Sequence, residues 1–181
     1  MQEIIVAANE AGQRLDKMLA KYLNEAPKSF LYKMLRKKNI VLNGKKATGN
    51  EKLAVGDSVK LFLADETIAK FSNIHAVHTN VTLDIIYEDE NVLLINKPVG
   101  MLSQKAAADD ESLVEHIISY MLETRQLTEE ELRKFRPSVC NRLDRNTSGL
   151  VAAGKSLAGL QEMGTLFKNR SLRKYYRCLV A

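Results

Sequence analysis

Apolar residues recur at helical spacing in two stretches near the N-terminus. Residues 14–23 place an apolar stripe on one side, formed by Leu15, Met18, Leu19, Tyr22 and Leu23. Residues 29–38 repeat the pattern with Phe30, Leu31, Met34 and Leu35. A recurrence every three to four residues is typical of amphipathic helices. The pattern therefore predicts two helices, with Pro27 marking the break before the second or its start.

Short alternating stretches then predict a hairpin. Residues 40–42 are apolar and precede Asn43-Gly44, the favoured two-residue turn between antiparallel strands. Gly56-Asp57 predicts another turn, followed by a strand over residues 58–63. Residues 1–64 thus form a predicted helix-helix-hairpin domain. Residues 65–80 show no clear period and are interpreted as a linker.

The pattern in the second half predicts strands alternating with helices. Residues 84–87 and 92–95 read as strands around a polar turn, and residues 150–153 form another apolar run. Capping signals at Ser112 and Thr128 open two helices, and Ser156 opens a third. We therefore expect an α+β protein in which residues 81–181 hold a mixed, largely antiparallel sheet with flanking helices.

The charge of the chain is unevenly distributed. The net charge is +5, but residues 1–64 hold 12 Lys or Arg against 6 Asp or Glu, whereas residues 65–181 hold 15 against 16. Such asymmetry predicts a polyanion-binding module joined to a near-neutral domain. The alternative is a basic surface that serves only solubility.

The two cysteines and the N-terminal sequence bear on the cellular compartment. Cys140 and Cys178 do not make a disulfide framework, which is typical of a reducing cytoplasm. The first residues lack the basic start and apolar core of a signal peptide, and no apolar run reaches the length of a membrane span. We expect a cytoplasmic protein without a membrane partner.

The stretch Asn141–Gly149 is the strongest candidate for chemistry. Asp144 stands between Arg142 and Arg145, before the turn-forming Asn-Thr-Ser-Gly tail. If residues 142–144 are extended, the side chains of Arg142 and Asp144 project to one side, and the guanidinium would keep the carboxylate ionised. An ionised carboxylate can serve as a nucleophile or a base. The alternative is a structural ion pair beside a turn.

This stretch resembles the catalytic motif of the RluA-type pseudouridine synthases, His-Arg-Leu-Asp-x-x-Thr-Ser-Gly. Eight of nine positions fit, and Asn141 stands where the family has His. Residues 96–100 resemble the upstream Asn-Lys-Pro-x-Gly motif of that family. Residues 174–180 resemble its downstream Lys-x-Tyr-x-Ala-x-Val motif, with Cys178 in the Ala position. Three ordered motifs over about 85 residues make the resemblance specific.

The resemblance implies the isomerisation of uridine to pseudouridine in RNA, with 23S rRNA as the expected substrate. Asp144 would be the nucleophile or base, Arg142 would support the flipped-out state of the nucleotide, and Tyr176 would lie against the uracil. Lys97 and Arg145 are expected to contact RNA. No cofactor, metal or nucleotide is implied. Because RluA-type enzymes continue further, the chain also looks truncated, and the alternative is an RNA-binding protein without catalysis.

Residues 12–63 resemble the RNA-binding module first described in ribosomal small-subunit protein four. This second resemblance rests mostly on the order of helices, turns and charges. Cations on a rigid face neutralise phosphates with little sequence selectivity. The residues expected nearest the RNA are Lys28, Lys33, Arg36, Lys37, Lys38 and Lys45. The alternative for each is a solvated surface cation.

Two further patterns are interpreted as coincidental. Residues 149–156 satisfy the phosphate-binding pattern Gly-x4-Gly-Lys-Ser, but the four intervening residues look like a strand, and no apolar strand precedes Gly149. His75 and His78 have the spacing of metal ligands, yet no further ligand lies nearby in the sequence. We therefore expect neither a nucleotide site nor a metal site.

Overall fold

The N-terminal half contains a four-stranded antiparallel sheet. The computed structural model describes residues 1–72, 78–107 and 109–178. The strands are β1 (Gln2–Ile5), β2 (Ile40–Leu42), β3 (Lys45–Lys46) and β4 (Ser58–Leu61), in the order β1-β4-β2-β3. The turn between β2 and β3 has positive φ at both Asn43 and Gly44, as a two-residue hairpin requires. The predicted hairpin is therefore confirmed.

Three helices pack against this sheet. They are α1 (Leu15–Tyr22), α2 (Lys28–Arg36) and α3 (Asp65–Phe71). The apolar stripes predicted for α1 and α2 face inward and form the first hydrophobic core with residues of β1, β2 and β4. The exposed side of α2 is left to its polar and charged residues.

The segment interpreted as a linker differs from expectation in its first half. Residues 65–71 form α3, whose Ile68 is 2% exposed within the first core. A helix of seven residues is too short to show a period that stands out in the sequence, so tertiary packing decides it. Residues 73–77, which include His75 of the His-x-x-His pattern, lie outside the described residues.

A second four-stranded antiparallel sheet follows. Its strands are β5 (Ile85–Glu88), β6 (Val92–Lys97), β7 (Ser138–Val139) and β8 (Gly149–Gly154), in the order β5-β6-β8-β7. The central pair runs from Val92 opposite Gly154 to Lys97 opposite Gly149. This register brings the end of β6 and the start of β8 to the same edge of the sheet.

The helices of the second half begin where the capping signals predict. They are α4 (Leu113–Glu123), α5 (Glu129–Leu132) and α6 (Leu157–Lys168). Ser112 and Thr128 each form a capping box, and the Ser156 hydroxyl accepts a bond from the Gly159 amide at 3.0 Å. Residues of α4, β6 and β8 make the second core. The α+β fold class is confirmed.

The two cores meet through aromatic and cationic side chains. The guanidinium carbon of Arg133 lies 4.3 Å from the centre of the Tyr22 ring in α1. Arg133 also donates a hydrogen bond to the Ser72 hydroxyl. Lys21 lies 5.7 Å from the centre of the Phe135 ring, which is 1% exposed. Within the described ranges, no helix is long and apolar enough to cross a membrane.

Candidate functional site

Asp144 lies in the loop that joins β7 to β8. Residues 142–144 are irregular rather than a strand, and the Asp144 side chain is exposed. A turn follows at once, in which the Thr147 amide donates to the Asp144 carbonyl at 3.0 Å. Gly149, with φ of 131°, then returns the chain to the sheet as the first residue of β8. The loop therefore presents a carboxylate at the sheet edge where β8 begins.

The side chain of Asn141 hydrogen-bonds the start of this loop to β8. Its side-chain oxygen accepts a bond from the Ala152 amide at 2.8 Å, and its side-chain nitrogen donates to the Leu150 carbonyl at 3.3 Å. The backbone amide of Cys140 donates to the Ala152 carbonyl. The side-chain amide of Asn141 therefore continues the pairing of β7 with β8. This double role requires a donor and an acceptor in one side chain, which Asn supplies. It gives a physical reason for Asn141.

A second loop, residues 98–103, lies against the Asp144 loop. The Ser103 hydroxyl donates to the Leu143 carbonyl at 2.7 Å and lies 3.1 Å from the Leu143 amide, which donates to it. The Gly100 amide donates to the Arg145 carbonyl at 2.8 Å, and Arg145 returns a bond from Nε to the Gly100 carbonyl. The two residues that flank Asp144 are thus both held by residues 98–103, a contact that the sequence motifs did not predict.

Lys97 is placed differently from the expectation that it contacts RNA. It is fully buried, and its Nζ donates to the carbonyls of Pro98 at 3.0 Å and Met101 at 2.8 Å. Desolvation lowers the pKa of Lys97, and the negative charge of Asp144 opposes that shift. The Lys97 ammonium is already engaged by the Pro98 and Met101 carbonyls. Its bonds to them fix the conformation of residues 98–101.

The expected pairing of Arg142 with Asp144 is also different in the structure. Both side chains are exposed, and in the part of the chain that the structure describes no ion pair joins them. The pairing was conditional on an extended backbone, and residues 142–144 do not form a strand. Among the described residues, the negative charge of Asp144 acts on Lys97, where it opposes the lowering of the pKa by desolvation.

Tyr176 lies in an irregular segment after α6. It is 71% exposed, and its neighbour Tyr175 is 81% exposed. Lys174 reaches back to α6 and lies 5.0 Å from the centre of the Phe167 ring. The last residues of the downstream motif, Leu179 and Val180, lie outside the described residues. The structure thus does not bring Tyr176 to the Asp144 loop.

All six cations that sequence analysis assigned to RNA contact in the N-terminal half are exposed. They lie along α2, the turn after it and the β2–β3 hairpin, as Lys28, Lys33, Arg36, Lys37, Lys38 and Lys45. Arg145 is exposed as well, while its Nε holds the Gly100 carbonyl. These seven side chains are accessible to a polyanion, in contrast to Lys97.

The phosphate-binding pattern of residues 149–156 has a structural explanation. Its first residues form β8, so they do not wrap a phosphate. Lys155 is 8% exposed and its Nζ donates to the Glu88 carboxylate and the Asp89 carbonyl, each at 2.6 Å. The ammonium is therefore occupied in a buried ion pair, and the interpretation as a coincidental pattern is supported.

An open cavity of about 310 Å³ lies beside the Asp144 loop. Its wall includes Asn96 and Lys97 at the end of β6 and Ser148 just before β8. Apolar side chains of Leu83, Ile95, Met101 and Leu113 line the remainder together with polar residues of the segment before β5. Small-molecule sites are usually concave and apolar with a few polar groups, and this cavity combines apolar and polar lining residues.

The site geometry defines a protein with an exposed aspartate on a loop that a second loop holds in place, in a chain that also carries an exposed basic helix. A model of the RNA pseudouridylate synthase family matches residues 91–181, which include the Asp144 loop and the loop of residues 98–103. The chain belongs to the RNA pseudouridylate synthase family.

Curated relatives agree with this family. The chain is 30% identical over 185 residues to ribosomal large subunit pseudouridine synthase C of Vibrio vulnificus, covering 99% of this chain and 55% of the relative. It is 31% identical over 184 residues to an RNA pseudouridine synthase of Mycoplasma genitalium, covering 98% and 55%. The chain spans about half the length of the curated relatives it matches.

Solved structures give a more limited overlap. The human RNA Pseudouridylate Synthase Domain Containing 4 covers 48% of this chain and 30% of that protein, with 24% identity and a TM-score of 0.36. The human RNA Pseudouridylate Synthase Domain Containing 1 covers 49% and 29%, with 20% identity and a TM-score of 0.36. The family assignment rests on the sequence match rather than on these overlaps.

Proposed function

We propose that this chain provides the Asp144 site of an RNA pseudouridine synthase that modifies 23S rRNA. The observation that carries the proposal is the family match across residues 91–181, because it contains both the Asp144 loop and the loop that braces it. The proposal for 23S rRNA is supported by the names of relatives about 30% identical to this chain, which are called ribosomal large subunit synthases.

The reaction is an isomerisation in which the composition of the nucleotide does not change. The bond between ribose C1′ and uracil N1 breaks, the base rotates, and a bond forms between C1′ and C5. The proton at C5 leaves and N1 gains a proton, so no electrons are gained or lost. Asp144 acts as the nucleophile or base of this sequence, and no cofactor is required. The uridine must leave its stack before the carboxylate can reach it.

Arg142 and Tyr176 have supporting roles in the proposal. Arg142 is exposed beside Asp144, so its guanidinium can occupy the space that the flipped base leaves or bind a nearby phosphate. Tyr176 is exposed, so its ring can move onto a bound uracil when RNA is present. Arg145 uses Nε to bond the Gly100 carbonyl. Its two terminal guanidinium nitrogens contact RNA in this proposal.

Residues 1–64 supply the RNA-binding domain of the proposal, and residues 81–181 supply the catalytic part. The support is the separate hydrophobic core of each half and the run of exposed cations along α2 and the hairpin. Six accessible cations on a rigid helix and hairpin would hold RNA through its phosphates and raise its local concentration at Asp144.

Release of tritium from uridine labelled at C5 tests the proposal. Unmodified 23S rRNA, 16S rRNA and transfer RNA would each be offered to this chain and to the longest natural reading frame that contains it. Release from 23S rRNA alone supports the full proposal, and release from another RNA corrects the substrate. No release from any RNA by either protein, with RNA binding intact, would contradict catalysis and favour an RNA-binding protein without turnover.

A further inference from the structure

The hydroxyl of Ser103 makes both of its strong hydrogen bonds to one residue of the Asp144 loop. It donates to the Leu143 carbonyl at 2.7 Å and accepts from the Leu143 amide, 3.1 Å away. Ser103 is only 4% exposed, so water does not replace these bonds easily. Leu143 directly precedes Asp144, and its two peptide groups are the ones that set the direction of the chain into Asp144.

Ser103 belongs to a rigid support. The buried ammonium of Lys97 bonds the carbonyls of Pro98 and Met101, which fixes the backbone five and two residues before Ser103. Gly100, between them, exchanges two bonds with Arg145. Residues 98–103 therefore hydrogen-bond the Asp144 loop on both sides of Asp144. Ser103 bonds Leu143, and Gly100 bonds Arg145.

We propose that Ser103 is a positioning residue for Asp144: its hydroxyl holds the Leu143 backbone so that the carboxylate faces the flipped uridine. The proposal rests on the proposed function. The Ser103 hydroxyl bonds the Leu143 backbone, and it acts on Asp144 through that neighbouring backbone. A displacement of about 1 Å in a reacting group can cost on the order of 100-fold in rate, so a hydroxyl at this position has a large effect.

Loss of the Ser103 hydroxyl is expected to affect the order of the Asp144 loop and not the binding of RNA. The Leu143 amide and carbonyl would lose their partner inside a buried contact, and the loop would take up several conformations. RNA affinity comes from cations that are exposed and independent of Ser103, so binding would stay as it is. We expect kcat to fall while KM for RNA changes little.

A pair of variants with equal bulk isolates the hydroxyl. Ser103→Thr keeps the hydroxyl and adds a methyl group, and Ser103→Val adds the same bulk and has no hydroxyl. Ser119→Ala is the control for loss of any buried serine hydroxyl, because Ser119 is 1% exposed and bonds Thr79 and Glu123, away from the Asp144 loop. All three are made in this chain and in the longest natural reading frame that contains it.

Two readouts are measured on each variant. Tritium release from 23S rRNA gives kcat and KM, and hydrogen exchange followed by NMR gives the protection of the Leu143 amide in the free protein. We expect Ser103→Val to lose about 10- to 100-fold in kcat relative to Ser103→Thr. We also expect its Leu143 amide to exchange about tenfold faster, as one lost hydrogen bond allows. Ser119→Ala should leave the Leu143 amide protected.

Each result decides the proposal. Equal kcat and equal Leu143 protection in the Thr and Val variants would overturn it, and so would a loss of kcat in Ser119→Ala as large as that in Ser103→Val. If the unchanged protein releases no tritium, the proposed function fails, and the exchange comparison still decides whether Ser103 holds the Asp144 loop. Protection lost in Val and kept in Thr would then retain the positioning role.

Discussion

At the scale of single residues, the site depends on buried polar groups that are satisfied by the backbone of loops. Lys97 is the extreme case, because a lysine that is fully buried usually has a charged partner and here has two carbonyls. The negative charge of Asp144 acts on this ammonium and opposes the lowering of its pKa. The residue thus links the conformation of the bracing loop to the charge of the candidate catalytic group.

The burial of Lys97 predicts a pH dependence of stability. Because desolvation lowers its pKa in the folded protein, the unfolded chain binds more protons between that lowered value and the ordinary 10.5. The free energy of unfolding should therefore rise with pH in this window, by up to about 1.4 kcal/mol per pH unit. Lys97→Met should lose this rise, as measured by urea unfolding at a series of alkaline pH values. If the free energy of unfolding depends on pH in the same way in both proteins, the burial of the Lys97 ammonium is contradicted.

Single residues also show what the sequence alone could predict. Asp144 was singled out because its neighbours match a family motif, and the structure places its side chain exposed on a loop. Ser103 was missed, since a serine 40 residues before Leu143 in the sequence carries no local signal of a contact with it. The burial of Lys97 could not be read from the sequence, because a lysine beside a loop is usually exposed and its burial depends on three-dimensional packing.

At the scale of elements, two glycines allow helix α6 to pack closely against the second sheet. A methyl group at Gly154 in β8 would lie 2.5 Å from Leu160 of α6, and one at Gly159 would overlap the Asn91 carbonyl. Both positions need the smallest residue so that α6 can lie close to the strand ends. The glycines of the phosphate-binding pattern are therefore explained in part by packing.

Two glycines of α6 should respond in opposite ways to alanine. Gly159→Ala should lower the free energy of unfolding by about 1–3 kcal/mol, because the new methyl group has no space against Asn91. Gly164→Ala should raise it by about 0.5–1 kcal/mol, because position 164 is open and alanine favours a helix. Thermal or urea unfolding of the two variants measures both. The packing described for α6 is wrong if the two changes have the same sign.

Element prediction succeeded where the pattern is long or capped. α1, α2 and α4 have apolar stripes of two or more turns, and Ser112 and Ser156 fix where helices begin. β1 and β7 were not predicted, since strands of four and two residues have little periodicity and are defined by their partners. The short α3 was missed for the same physical reason.

At the scale of the whole molecule, charge and chemistry are segregated. The basic excess lies in the first 64 residues, on an exposed helix face and hairpin, and the candidate catalytic loop lies in the near-neutral half. The composition predicted this division. The contacts between the halves, such as Arg133 on the Tyr22 ring, depend on three-dimensional packing and have no signature in the sequence.

The α2 surface should show its role in the salt dependence of RNA affinity. Replacing Lys33 and Arg36 together with glutamine should reduce the slope of log affinity against log salt by about 1.4–1.8, since each lost phosphate contact contributes about 0.7–0.9. The control is the pair Lys60→Gln in β4 and Lys70→Gln in α3, which removes the same charge away from α2. Filter binding of 23S rRNA at several salt concentrations measures the slope. Equal slopes for the two double variants would mean that RNA binds elsewhere.

The central claim is that Asp144 reacts with the flipped uridine, and turnover of Asp144→Asn tests it most directly. The variant keeps the size of the side chain and removes its charge, and Asp65→Asn makes the same change at an exposed position in α3. The measurement is tritium release from 23S rRNA labelled at uridine C5, in the longest natural reading frame that contains the chain. We predict release by the unchanged protein and by Asp65→Asn, and none by Asp144→Asn, with RNA binding equal in all three. Release by Asp144→Asn at the rate of the unchanged protein would contradict the account.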